Sequence, residues 1–435
     1  MKRFLAGLTL GAAALAAMPA AAQNIAITNA KIAAGTGAAP VEGTVIVRNG
    51  RIASVGAGAA PAGMEVLDAE GAWVTPGLVA PYSQLGIVEI GGVSQTNDTE
   101  AEDSPYSASL DVALAVNPNS TGIAVSRLEG LTRAATAPSP SNDLFGGQGA
   151  VIELKANDPD LVVKPRAFQM IALGEAGARY AGGGRLAVFT RLKDAFGEAQ
   201  AFARNPNGYD FGRSEDSLLT RSDAEALVDV IEGRTPAMIS VDRASDIRAA
   251  LTLKEDYPRM RMILLGAAEG WLVADEIAAA GVPVITTPMQ NLPSRFESIA
   301  STQSNAGRLV AAGVQVALSD IGNSTVSPRL AQEAGQTVAQ GRIPGAAGLT
   351  HEQALAAITS VPADILGLEA GRLIAGAAGD VVVWDGDPLE TRSAPTAVFI
   401  DGVRQPMTSR QTELRDRYNP AAADTNLPPQ YSRSR

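Results

Sequence analysis

Two of the side chains that most often act as nucleophile, base or metal ligand are nearly missing from this chain, and that constrains the reading. There is no cysteine, and the one histidine is His351. Thiolate nucleophiles, thiolate metal sites and disulfides are therefore all excluded. Among the carboxylates, Asp320 stands out. It closes the run Ala317-Leu-Ser-Asp-Ile, an apolar strand ending in a carboxylate. There it can serve as a general base towards a bound water, or as a hydrogen-bonding group at a strand end. His351 follows Thr350, the N-cap of a helix opened by Thr350-His-Glu-Gln353. In a first helical turn the dipole disfavours an imidazolium, and an exposed histidine there is ordinary. Asp98, Glu100, Glu102 and Asp103 form an acidic cluster without the alternating spacing of a calcium loop, so a solvated loop is expected. Gly146-Gly-Gln-Gly can cradle an anion through backbone N–H groups, but it lacks the Gly-Lys-Ser/Thr ending of a phosphate loop; a tight loop is the expectation.

The elements that must position these groups fall into two textures. Residues 23–73 and 370–410 read as short β-branched strands. Asn49-Gly50 is a two-residue hairpin turn, and Asp401-Gly402 separates another strand pair. Residues 74–369 instead alternate strands (around 236–241, 262–265, 283–287 and 314–319) with helices, which implies parallel βαβ units. Ser222-Asp-Ala-Glu225 reads as a capping box. Segments 91–120, 136–149 and 205–221 read as long loops, and the polar stretch 411–435 as an extended tail.

Lys2 and Arg3, the apolar run from Phe4 to Ala17, and Ala20-Ala-Ala before Gln23 read as a cleaved secretory signal over residues 1–22. The expected setting is the periplasm or outside the cell, with no stable membrane insertion. The net charge of −11 argues against nucleic acid as a partner.

Val74-Thr-Pro-Gly-Leu, the Asn49-Gly50-Arg51-Ile52 hairpin before it, Ile358-Thr-Ser-Val-Pro-Ala-Asp-Ile-Leu-Gly-Leu, and Gly379-Asp-Val-Val-Val-Trp-Asp-Gly-Asp-Pro come in the order found in the amidohydrolase superfamily. Gly146-Gly-Gln-Gly-Ala-Val, Ala244-Ser-Asp-Ile and Ala268-Glu-Gly-Trp resemble its imidazolonepropionase-like branch. The resemblance implies an α/β fold: a (β/α)8 TIM-like barrel plus a small β-sandwich built from both ends of the chain. It also implies hydrolysis of carbon–nitrogen bonds by zinc held at the barrel strand ends. Carried over residue by residue, the first-strand histidine pair falls on Tyr82 and Gln84. The fifth-strand histidine falls on Ser240, the sixth on or beside Gly266, and the eighth-strand aspartate on Asp320. Only Asp320 keeps its family type. The zinc expected from the family lacks its ligands, because catalytic zinc needs about three nitrogen, sulfur or carboxylate donors.

The expectation is therefore no cofactor and a pocket lined by Tyr82, Gln84, Ser240 and Gly266. Three functions stay open: a pseudoenzyme binding a small amide-type ligand or a partner, a hydrolase working around Asp320, or a non-catalytic subunit beside a homologous amidohydrolase. A homodimer is compatible with the resemblance.

Overall fold

Four residues in a row, Val381–Trp384, are buried with no solvent side. Such a run belongs inside a sheet rather than at its edge. In the computed structural model, which describes residues 24–207, 217–323 and 329–418, it is an inner strand of a sheet drawn from both ends of the chain. Its strands are β1 (Ile25–Ile32), β2 (Val41–Arg48), β3 (Arg51–Gly56), β4 (Glu65–Asp68), β5 (Trp73–Pro76), β14 (Val381–Trp384), β15 (Pro395–Ile400) and β16 (Val403–Arg404). The order is β16-β15-β14-β5-β1-β2-β3, with β4 also paired to β1. Ile25, Ile27, Val45, Val47, Val74, Val381 and Phe399 form the core of this small sandwich. Asn49 and Gly50 take φ of 51° and 76°, the doubly left-handed turn that a two-residue hairpin requires.

The second sheet has eight strands and closes nearly into a barrel. They are β6 (Leu78–Ser83), β7 (Leu131–Thr136), β8 (Phe145–Glu153), β9 (Val162–Ala172), β10 (Ala237–Val241), β11 (Met262–Gly266), β12 (Val284–Thr286) and β13 (Val316–Leu318), in sequential order. Between β13 and β6 the seam is bridged by backbone. The Leu318 N–H donates to Ala357 O and the Val79 N–H to Ile358 O, both at 2.9 Å. Val79, Phe168, Met170, Met238, Ile263, Leu265, Ile285 and Ala317 pack in one cluster with residues from around the barrel. Each of these side chains larger than alanine contributes roughly 1.5–3 kcal/mol by leaving water.

One strand departs from the regular repeat. β8 runs antiparallel to both β7 and β9. The joining segments, 137–144 and 154–161, are shorter than the dozen or so residues that a parallel crossover needs. This corrects two sequence expectations. The segment 136–149 is a loop only to Leu144, and Gly146-Gly-Gln-Gly lies inside buried β8. Its glycines are steric. A Cβ at Gly149 would fall on the Phe168 ring, and one at Gly146 would meet the backbone of Pro140 at 2.7 Å. With those N–H groups engaged in a strand, there is no anion cradle.

Helix starts are partly as read. Thr350 and Gln353 form a capping box. At the earlier site, however, the cap is Thr220, whose side chain accepts from the Asp223 N–H, and Ser222 is the second residue of the helix. The tail begins as helix, Arg410–Tyr418, because Ser409 and Thr412 exchange side-chain and backbone hydrogen bonds at its start. The signal segment, 208–216 in the third loop, and 419–435 lie outside the described residues. Among the described residues no helix is long and apolar enough to cross a membrane.

Candidate functional site

In barrels of this kind the side chains that do chemistry stand at the carboxyl ends of the strands and in the loops beyond them. Tyr82 and Gln84 come from the end of β6, Ser240 from β10, Gly266 from β11 and Asp320 from just past β13, so all five share that end. The structure joins them in two groups. Ser319 Oγ donates to Tyr82 O at 2.9 Å, tying the Asp320 segment to the end of β6. Ser240 and Gly266 are neighbours across the β10–β11 ladder, where Ser240 faces Leu265 and Val241 faces Gly266.

None of the five is set up as a metal donor. Tyr82 is buried in the barrel interior, and burial pushes its phenol above the usual tyrosine range, away from the phenolate a cation would want. Gln84 Nε2 donates to Ser139 Oγ at 3.1 Å in the loop after β7. Ser240 contributes its carbonyl, which accepts the Leu173 N–H at 2.9 Å. Gly266 has a φ of 94°, and a Cβ there would stand 2.5 Å from Asp242 Oδ1. The space a side chain at 266 would need is thus filled by the Asp242 carboxylate. Asp320 is 6% exposed, and Arg329 reaches its Oδ2 at 3.3 Å. Among the described residues, no three histidine, cysteine, aspartate or glutamate side chains are placed to hold a metal ion. The residues present do not fit the zinc that the resemblance implies, on donor type as well as placement.

A charged network that the sequence reading did not single out occupies the loops at this end. Arg295 donates to Asp242 Oδ2 at 2.6 Å and pairs with Glu297 at 3.0 Å. Glu297, 3% exposed, accepts the Glu175 N–H at 2.6 Å, and Arg243 pairs with Glu175 at 2.9 Å. Glu269 accepts the N–H groups of Ala244 and Ala300, both at 3.1 Å. Burial raises Asp242 and Glu297 above the usual carboxylate range, while the hydrogen bonds and Arg295 oppose that rise. These carboxylates staple the loops after β9, β10, β11 and β12 to one another. The positions of Glu175, Asp242 and Glu269 within three residues of strand ends were a signal available in the sequence; the pairing of these groups and the place of Glu297 were not.

Next to Asp320 lies a second acid. Glu333 sits in the first turn of helix Leu330–Gln340, is 7% exposed, and its Oε2 has no hydrogen-bond partner. Burial, and then the charge of Asp320, push it up to about 7.

His351 is not the exposed, dipole-weakened residue that its position suggests. Nε2 meets Asp387 Oδ1 at 2.8 Å, and the ring lies 5.3 Å from that of Trp73. The Asp387 hydrogen bond raises its pKa against a smaller opposing effect of burial. It fastens a barrel helix to the sandwich, away from the strand ends.

Residues 218–404 match the Amidohydrolase family. The curated relative Amidohydrolase tasK of Hapsidospora irregularis is 26% identical over 412 residues, which cover 86% of this chain and 41% of that protein. The chain therefore spans well under half the length of that relative. Among solved structures, an amidohydrolase from Thermotoga maritima MSB8 superposes with a TM-score of 0.77 at 25% identity, covering 87% of this chain and 99% of the other. A molinate hydrolase superposes with a TM-score of 0.53 at 17% identity, over 89% and 95% of the two chains, a likeness of fold alone.

Proposed function

The chain belongs to the amidohydrolase superfamily, and on that premise we propose that it keeps the hydrolase barrel without metal-dependent hydrolysis, and acts by binding a ligand or a partner. The observation that carries this is the fate of the strand ends. Gly266 has its side-chain space filled by Asp242, Tyr82 is a buried neutral phenol, and Asp320 faces Arg329. Two carboxylates, Asp320 and Glu333, beside an arginine fall short of a site that needs three donors and an open position. Glu269 and Glu297, in the loops at this end, are engaged in holding those loops. Tyr82, Gln84, Ser240 and Asp320 are the residues we assign to the mouth that a small amide-type ligand would meet.

A second reading is favoured by one observation. The match spans only 41% of the curated relative, so a barrel of this kind occurs within a longer polypeptide. This suits a non-catalytic barrel that works beside a homologous amidohydrolase supplying the chemistry. The leader residues Lys2 and Arg3 and the apolar run after them support export as the setting for either reading.

The test is metal content by plasma mass spectrometry on the purified protein and on Asp320→Ala, with hydrolysis of dipeptides and cyclic amides assayed in parallel. The proposal expects less than about 0.1 equivalent of zinc and no Asp320-dependent turnover. Near-stoichiometric zinc lost in Asp320→Ala would overturn it. Co-purification with a histidine-bearing homologue would select the second reading.

A further inference from the structure

A cleft of about 550 Å³ lies at the opposite end of the barrel, where the sandwich meets it. Its barrel side carries Arg133 and Lys164, each the third residue of its strand, and Glu153, the last residue of antiparallel β8. The sandwich side brings Arg51, just past the Asn49-Gly50 turn, and Asp401. Its volume is in the range of small-ligand sites.

The cleft is lined by Arg51, Arg133 and Lys164 and by Glu153, Glu369 and Asp401; Arg51 pairs with Glu369 at 2.9 Å, and the remaining charges are unevenly matched. On one wall, three carboxylates share two cations. Arg133 binds Asp380 at 2.6 Å and Asp401 at 2.7 Å, with Glu153 at 3.9 Å, and Lys155 binds Glu153 at 2.7 Å and Asp401 at 2.8 Å. One negative charge is left over. Burial first, opposed by Lys155, raises Glu153 to about 7, so a cationic group placed beside it would favour its ionised form. On the other wall Lys164 is half-buried and donates to Leu366 O at 2.7 Å. Among the described residues no carboxylate lies within 4.0 Å of it. Burial, and then the charge of Arg261, lower its pKa, and Arg261 itself donates to the carbonyls of Gly233 and Arg234. A half-buried ammonium whose hydrogen bond goes to a carbonyl keeps its charge uncompensated, and a ligand carboxylate would compensate it. A simple anion would satisfy Lys164 and face the acidic wall; a simple cation would do the reverse.

We propose that this cleft binds a small zwitterion of the amino-acid or short-peptide class, with its carboxylate on Lys164 and its ammonium group against Glu153 and Asp401. The site is separate from the strand-end mouth and does not depend on what happens there.

Calorimetric titration of the full chain with Ala-Ala, Ala-Lys and Ala-Glu tests this, alongside the N-acetylated and C-amidated form of each and sodium acetate. At least one free dipeptide should bind, and masking either of its charges should weaken it tenfold or more. Lys164→Met should abolish the preference for the free carboxylate over the amide, and Glu153→Gln the preference for the free ammonium over the acetylated form. Val163→Trp, at an exposed position lining the cleft, should block binding without touching either charged wall. Gln84→Ala, at the barrel mouth, should leave it unchanged. No binding by any dipeptide at millimolar concentration overturns the proposal. So does binding of acetate as tight as the dipeptides, persistence in both Lys164→Met and Val163→Trp, or loss in Gln84→Ala.

Discussion

Replacing Arg133 by methionine should be among the most damaging single changes in the part of the molecule where barrel and sandwich meet. The arginine side chain is 9% exposed and Asp380 beside it only 1%. Methionine fills much of the same volume, so the cost is electrostatic rather than a cavity. Breaking a buried pair by removing one partner typically costs about 3–5 kcal/mol, because the remaining charge is stranded. Two features place Arg133→Met near the lower end. Lys155 still holds Asp401 at 2.8 Å, and Asp380 Oδ1 still accepts the Asp401 N–H at 3.0 Å. The expectation is a loss of about 3 kcal/mol against a total stability on the order of 5–15 kcal/mol. Urea unfolding measures it, and the tryptophans report from both parts: Trp384 in the sandwich and Trp271 beyond barrel strand β11. Single-tryptophan versions should show whether the two transitions coincide, as they must for one free energy to be defined. Adding Asp380→Asn should restore at least half of the loss by neutralising the stranded carboxylate. A loss under about 1 kcal/mol, or a double variant as unstable as the single one, would refute the assignment of this network as a buried clamp.

Glu333 binds its proton more tightly when folded, so its contribution to stability declines as pH rises from about 4.5 towards about 7. At 1.36 kcal/mol per pH unit this is about 3 kcal/mol, roughly halved by solvent screening. Glu333→Gln should therefore stabilise the protein by about 1–2 kcal/mol more at pH 8 than at pH 5; a difference independent of pH in urea titrations would contradict the raised value. The His351–Asp387 pair has the same pH sense, although here the stabilising form is the charged one. Its stabilisation is complete below histidine's ordinary value near 6.5 and is lost as pH passes the raised folded value. His351→Ala should cost about 1–2 kcal/mol at pH 5.5 and clearly less at pH 9, read as a pH-dependent shift in Tm. Gly149→Ala should cost about 1–3 kcal/mol by driving a methyl into the buried Phe168 ring, with Phe168→Leu as the compensating change; a neutral Gly149→Ala would mean that β8 is not packed as described.

Much of the architecture was legible along the chain because it rests on near neighbours. The Asn49-Gly50 turn needs two left-handed residues in succession, and the Thr350 cap needs Gln353 three residues on. The four-residue run of β14 needs only its own apolar side chains. The strand-end positions of Tyr82, Ser240, Gly266 and Asp320 were also visible from the chain, because each closes or follows an apolar strand run. Other features depend on residues brought together across long distances in sequence. Asp242 meets Arg295 across 53 residues and Arg133 meets Asp380 across 247; such ion pairs have no local periodicity to announce them. His351 looked like an exposed first-turn residue until folding placed Asp387 and Trp73 beside it. The glycines of β8 resembled a phosphate loop because a residue that tolerates close backbone approach is needed in both settings, and only the packing of Phe168 and Pro140 distinguishes them. The amino-acid sequence by itself thus determined the two kinds of sheet and a chemistry with one histidine and no cysteine. The tertiary structure alone decided which charges are paired, which are stranded, and where a cleft opens between them, because burial and pairing are properties of the folded surroundings rather than of neighbours in the chain.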